Sequence, residues 1–230
     1  MKAKLLILGL AFGLTGGARA DLNPVALRPG SYTFGIVVPS NTVQALPYCL
    51  TADTETGAAL TGSSFYEQGF YAQPGQPDSY FGIPAHNTIF TDINNPGIQF
   101  LMPPDYTTNN DLQIDGQTHT SGTLTLATPT AATNLAILAC DGNGDNFFFY
   151  KVNHTDGSVV DSGYLFVPDW FDGGSGSHPN YNGTTTSDAV AWGADDRVVT
   201  GCEMGCQYLG YFYEYGGTGG NFDNNNPFLY

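Results

Sequence analysis

Hydrophobic residues in this chain come in short bursts separated by polar and turn-forming residues. Beyond the first twenty positions no run recurs at helical spacing over a useful length. The bursts predict strands. Residues 31–38 are rich in aromatic and β-branched side chains and end at Pro39. Residues 42–50 read as a weaker strand carrying Cys49, 52–64 as a loop, and 65–71 as a strand weakened by Gly69. Short extended pieces follow at 81–84 and 89–91. A turn at 94–97 then leads into a strand over 98–102, stopped by Pro103 and Pro104.

The middle of the chain carries the clearest alternation. Leu112 and Ile114 alternate with Gln113 and Asp115, and Leu124 and Leu126 with Thr123 and Thr125, the pattern of half-buried strands. Residues 135–140 form a continuous apolar run of strand length, as expected of a central strand covered on both faces. After a polar turn at 141–146, residues 147–152 form a strand. Asp156 and Gly157 predict a type I′ hairpin into 158–160, and 164–167 is a further strand. A long surface loop is expected over 172–187, then strands at 189–192, 197–200 and 207–215. A flexible tail is expected over 216–230, in which 228–230 can dock. Ten to twelve short strands without repeats or linkers predict an all-β fold, a two-sheet β-sandwich of jelly-roll type, in one domain spanning 21–230.

The first twenty residues stand apart. Lys2 and Lys4 precede an apolar run from Leu5 to Leu14, and Ala18-Arg19-Ala20 has the small residues of a cleavage site. This is the pattern of a secretory signal peptide over 1–20, cleaved after Ala20 and too short to span a bilayer. The protein is therefore expected to be secreted, extracellular or periplasmic, without membrane insertion. Residues 21–230 keep three cations (Arg28, Lys151 and Arg197) against 21 acidic residues, a net charge of −18. Phosphate repulsion at that charge argues against nucleic-acid partners. Four cysteines in an exported chain favour disulfides, with Cys49–Cys140 and a local Cys202–Cys206 as the preferred pairing of three.

Candidate chemistry lies at the strand ends. Asp141, Asn143 and Asp145 place oxygen ligands at alternate positions, as in a calcium-binding turn, so structural calcium is the one cofactor expected. Asn146 and Val152 occupy positions where an EF-hand needs Gly and Glu, which excludes that motif; a simple polar turn is the plainer reading. Asp169 and Trp170 stand at the mouth of the long loop, with Tyr181 in it and Trp192 beyond it. Aromatic faces beside carboxylates suit stacking on sugars, and these four are the candidate ligand-binding residues, against the alternative that Trp170 closes the core. The four histidines are scattered, no His-Glu-x-x-His appears, and the Gly-rich stretch 173–177 lacks the last Gly of a nucleophile elbow.

A set of short motifs carries a resemblance. Asp105, Tyr106 and Leu112, the run from Gly122 to Pro129, Leu135 to Leu138, Gly142 to Gly144, Asp156-Gly157 and Asp169-Trp170-Phe171 follow one another in a similar order in an uncharacterised β-sandwich module of secreted bacterial proteins. Many of those proteins belong to the PEP-CTERM class. The resemblance covers residues 105–171 closely and 21–215 loosely. It implies a galactose-binding-like or jelly-roll domain and a glycan partner. The sequence to Tyr230 shows no Pro-Glu-Pro anchor, so anchoring is not carried over. The expectation is a non-catalytic secreted protein that binds carbohydrate or another extracellular ligand. A structural or adhesive surface or matrix protein is the alternative, and a polysaccharide-active hydrolase comes third.

Overall fold

The computed structural model of the chain describes residues 4–13, 22–40, 53–54, 61–69, 82–116, 119–142, 146–170, 191–193, 197–201, 207–213 and 228–229. Among these residues the fold is all-β. The strands are β1 (Lys4–Gly13), β2 (Leu22–Val25), β3 (Val37–Val38), β4 (Asp53–Thr54), β5 (Thr61–Tyr66), β6 (Ile89–Thr91), β7 (Gln99–Leu101) and β8 (Leu112–Ile114). The second half adds β9 (Asn134–Gly142), β10 (Asn146–Asn153), β11 (Val159–Val167), β12 (Trp192–Gly193), β13 (Arg197–Gly201), β14 (Gln207–Tyr213) and β15 (Phe228–Leu229). One 3-10 turn, Pro29–Ser31, is the helical content of the described residues. None of their helices is long and apolar enough to cross a membrane.

The strands are short because turn residues interrupt them, and they gather into small sheets. In the first sheet β1 is the hub. It pairs antiparallel with β9 along its whole length, with β8 through Leu5–Ile7, and with β2 through Leu10–Gly13. The segment whose composition reads as a leader is thus a strand of the fold. An uncharged apolar run has the same pattern whether it serves as an h-region or as a buried strand. The register against β9 slips between Ile7 and Gly9, a bulge. At Gly9 the backbone passes close to β7: a Cβ there would lie 3.3 Å from the Leu101 carbonyl oxygen. A second sheet runs β14-β13-β5-β3, with β4 on β5 and β3 parallel to β5. β6–β7, β10–β11 and β12–β15 form two-stranded ladders.

The principal core joins these pieces. Ile36, Val37, Phe65, Ile83, Phe100, Met102, Tyr106, Leu138, Cys140 and Trp170 are buried in one cluster. A smaller cluster of Leu112, Ala139 and Val167 lies beneath Phe148 and Leu165. β9 is exposed at Asn134 and Leu135 and buried from Leu138 to Gly142. The sequence predicts burial on both faces throughout, but only the second half of β9 enters the core.

Other expectations shift similarly. Residues 31–38 do not form one strand; only Val37–Val38 pairs with β5, and Phe34 makes a single bridge to Asp111. Residues 123–126 give a bridge from Leu126 to Leu27 and no ladder, with Thr123 and Thr125 exposed. The weaker strand at 42–50, the loop at 172–187 and most of the tail lie outside the described residues.

Where ladders are missing, a side chain takes their place. Asn110 is fully buried, and its Oδ1 accepts the Ile36 N–H at 2.9 Å while its Nδ2 donates to the Thr108 carbonyl at 3.1 Å. Its own N–H and that of Asp111 donate to the Phe34 carbonyl. Asn110 therefore does for the 33–36 segment what a strand partner would do. The variant Asn110→Ala leaves the buried Ile36 N–H without its acceptor and is expected to lose about 2 kcal/mol of stability in urea denaturation. A loss below about 0.5 kcal/mol, the level of an ordinary surface substitution, would refute that role.

Candidate functional site

The structure brings two of the sequence-predicted residues together. Asp141, the last residue but one of β9, forms a parallel bridge with Asp169: the Asp141 N–H donates to the Pro168 carbonyl at 3.0 Å, and the Trp170 N–H donates to the Asp141 carbonyl at 2.8 Å. The polar turn and the mouth of the long loop are thus one junction. Its side chains are mostly internal. Asp141 and Trp170 are both fully buried. Trp170 packs edge-on against Phe65 with ring centroids 4.9 Å apart. A ring with no exposed face has none to offer a sugar, so Trp170 takes the core-closing role, three residues beyond the buried end of β11. Asn143, Asp145 and Tyr181 lie outside the described residues. Among the described residues no group of three His, Cys, Asp or Glu side chains is placed to hold a metal ion.

Cys140 lies at the same junction. It is a buried thiol in the structure; Cys49, Cys202 and Cys206, and with them the expected pairings, lie outside the described residues. Burial, and then the nearby charges of Asp141, Asp111 and Asp169, push its pKa well above the ordinary thiol value. The thiolate is thus suppressed, and with it the reactivity of the sulfur.

Trp192 is half-buried on β12. Its indole Nε1–H donates to the Gly82 carbonyl at 3.3 Å, and its ring meets Phe90 edge-on at 5.6 Å. It pins the 82–86 turn to the β6–β7 ladder. Asp169, Trp170 and Trp192 therefore do not form one exposed surface.

Two arrangements were not singled out from the sequence. The first is Glu67 with His86. Glu67 is only 2% exposed, yet three donors reach it: the Ser40 N–H at 2.8 Å, the His86 N–H at 2.9 Å and His86 Nδ1 at 2.7 Å. Burial alone pushes the Glu67 carboxyl up, but the hydrogen bonds from Ser40 and His86 outweigh it and hold the pKa below the ordinary value. The His86 ring stands half-exposed above Tyr106, edge-on at 5.8 Å. The Tyr106 hydroxyl donates to the Pro84 carbonyl at 2.9 Å, and burial followed by the Glu67 charge pushes its pKa well up. The carboxylate joins the end of β3 to the 82–88 turn. Nineteen residues separate Glu67 from His86, which leaves no local motif to read.

The second is the outer face of the β10–β11 hairpin. Register places Phe147 opposite Phe166 and Phe149 opposite Tyr164. Their rings meet at 5.0 Å and 5.4 Å, and Lys151 Nζ lies 5.7 Å from the Phe149 ring centre. Phe147, Phe149 and Tyr164 are 47%, 54% and 50% exposed, values that large apolar rings seldom keep without a reason. The opposite face, with Phe148 and Leu165, packs on the smaller core. The signal was present in the sequence as Phe147 and Phe149 alternating along one strand, with Tyr164 and Phe166 along the next.

No protein-family model, curated protein or solved structure matches this chain.

Two outcomes follow. Because the folded pKa of Glu67 is depressed, its stabilisation is complete above the ordinary carboxyl value of 4.5 and is lost as pH falls through the folded value. Glu67→Gln is expected to cost about 2 kcal/mol at pH 7 in urea denaturation, with the gap to wild type narrowing as the pH is taken below 4.5 and through the depressed folded value. An unchanged gap at the lower pH would show that the Glu67 charge is not the stabilising element. Cys140 is expected to resist iodoacetamide in native buffer and to be alkylated in denaturant, read by peptide mass mapping. Rapid native labelling would contradict its burial.

Proposed function

We propose that the protein is a secreted, non-catalytic β-sandwich of jelly-roll or galactose-binding-like type that binds an extended extracellular glycan through the aromatic ladder of β10 and β11. The observation that carries this reading is the exposed row of Phe147, Phe149 and Tyr164 beside Phe166. Two cross-strand ring pairs on one face of a hairpin, their planes inclined at 53° and 64°, present a row of exposed ring faces and edges, and aromatic rings suit the apolar faces of sugars. The sugar-binding expectation thus moves from Trp170 and the long loop to the hairpin. The module resemblance and the leader pattern support export and glycan binding in the same direction, and structural calcium at the 141–145 turn stays part of the proposal. Glu67 supports a non-catalytic reading: both its oxygens accept backbone N–H groups of turns.

A structural or adhesive role is the second reading. Ile89 and Ile93, 57% and 50% exposed on and just after β6, favour it, since a second exposed apolar area beside that of the β10–β11 hairpin suits contact with another macromolecule.

The test is a depletion assay on insoluble neutral polysaccharides, backed by a glycan array with and without calcium. Phe149→Ala and Tyr164→Ala are each expected to weaken binding about tenfold, a loss of about 1.4 kcal/mol, with the melting temperature little changed. Absence of wild-type binding to any glycan removes the first reading. Concentration-dependent assembly in sedimentation, lost in the same variants, then supports the second.

A further inference from the structure

The leader pattern and the position of β1 cannot both hold in the exported protein unless something replaces β1. On the reading that residues 1–20 are removed after Ala20, a clause this inference shares with the proposed function, export deletes the hub of the first sheet. β9 fills one hydrogen-bonding edge of β1 along its length, so β8 and β2 lie on the other edge. Removal leaves β9 facing β8 and β2 across a gap one strand wide. The β9 edge that pairs with β1 from Asn134 to Gly142 is then open, and an open strand edge is a template for pairing with another chain.

We infer that this gap is a strand-receiving groove, and that its occupant in the mature protein is an extended apolar segment of a partner polypeptide, added antiparallel to β9. The length required is that of β1, ten residues. The facing stretches, Asn134–Gly142 of β9, Leu112–Ile114 of β8 and Leu22–Val25 of β2, carry one charged residue, Asp141 near the end of β9, so recognition is mainly by main chain and by apolar side chains. A small residue is favoured opposite Leu138, where Gly9 now sits, because a Cβ there would lie 3.3 Å from the Leu101 carbonyl oxygen, a tight approach, and a larger side chain would crowd Phe100 as well. Charge decides between a partner and a second copy. Each mature chain carries three cations against 21 acidic residues, hence −18, and two copies repel, whereas a neutral or basic segment is attracted. β1 itself enters with Lys4 at the register position of Gly142, next to Asp141.

The experiment takes the full-length chain through an exporting cell and weighs the purified product. A mass corresponding to a start at Asp21 is expected. A synthetic peptide of residues 2–14, extended by two C-terminal lysines for solubility, is then titrated against it. The expected result is saturable one-to-one binding that slows amide exchange in 112–114 and 134–142, and at least tenfold weaker binding of the same peptide carrying Gly9→Val. A start at Asp21 with these amides already protected and no peptide binding overturns the groove, because the sheet has then closed on itself. Equal binding of the two peptides overturns it as non-specific adhesion. A product starting at Met1 overturns it by removing its premise, and it removes the cleavage reading as well. Glycan depletion run on the same samples reports on the hairpin ladder separately, so failure of one reading is distinguishable from failure of the other.

Discussion

A β-strand has two hydrogen-bonding edges, and the first sheet of this protein exists because β1 uses both. β8 has no other ladder among the described residues, and β2 has only a bridge from Leu22 to Ile98 besides. β9 meets the principal core through Leu138 and Cys140, and its one ladder among the described residues is with β1. The bulge and Gly9 then let β7 pass close to the hub, which brings the β6–β7 ladder onto the same core. Everything that depends on the position of β9, including the Asp141–Asp169 junction and the burial of Trp170 behind it, depends on that shared strand.

Away from the hub, strands of two or three residues supply few ladder bonds, and buried amides must be satisfied in other ways. Three side chains do this over long range. Asn110 accepts the Ile36 amide, Glu67 accepts the Ser40 and His86 amides, and Tyr106 donates to the Pro84 carbonyl. All three serve the region where β3, the 82–88 turn and the 106–111 segment meet. Glu67 is the costliest to bury and the most fully bonded, as expected of a charge retained inside a fold. The interior of this end of the molecule is thus held by polar groups that stand in for missing strand neighbours.

What the sequence makes legible is local. The bursts at 89–91, 98–102, 112–114, 135–140, 147–152 and 164–167 all become strands, because alternation and flanking turns are properties of neighbouring residues. The β10–β11 turn is instructive. The sequence predicts a two-residue type I′ loop at Asp156 and Gly157, yet only Gly157 has a positive φ and the His154 N–H donates to the Ser158 carbonyl, which gives a three-residue loop. A slip in register after Val152 restores the pairing that the shorter loop would have set, so Phe147 still faces Phe166. The predicted partners hold although the turn type does not. Long-range facts were not legible. Nothing near Trp170 announces Phe65, nothing near Asn110 announces Ile36, and an apolar run at the N-terminus is the same string whether it directs export or fills a sheet.

The charge of the chain sharpens what the hairpin face means. Outside the first twenty residues there are three cations, and one of them, Lys151, stands over Phe149. The register positions that share that face, Phe147, Phe149 and Lys151 with Ser162, Tyr164 and Phe166, include no carboxylate. Strong net charge keeps a protein in solution despite an exposed apolar strip, so the acidity elsewhere is what allows the aromatic face to remain uncovered. The exposed rings and Lys151 at these positions together make a neutral-to-basic aromatic strip that an uncharged partner can approach, on a chain whose net charge repels anionic ones.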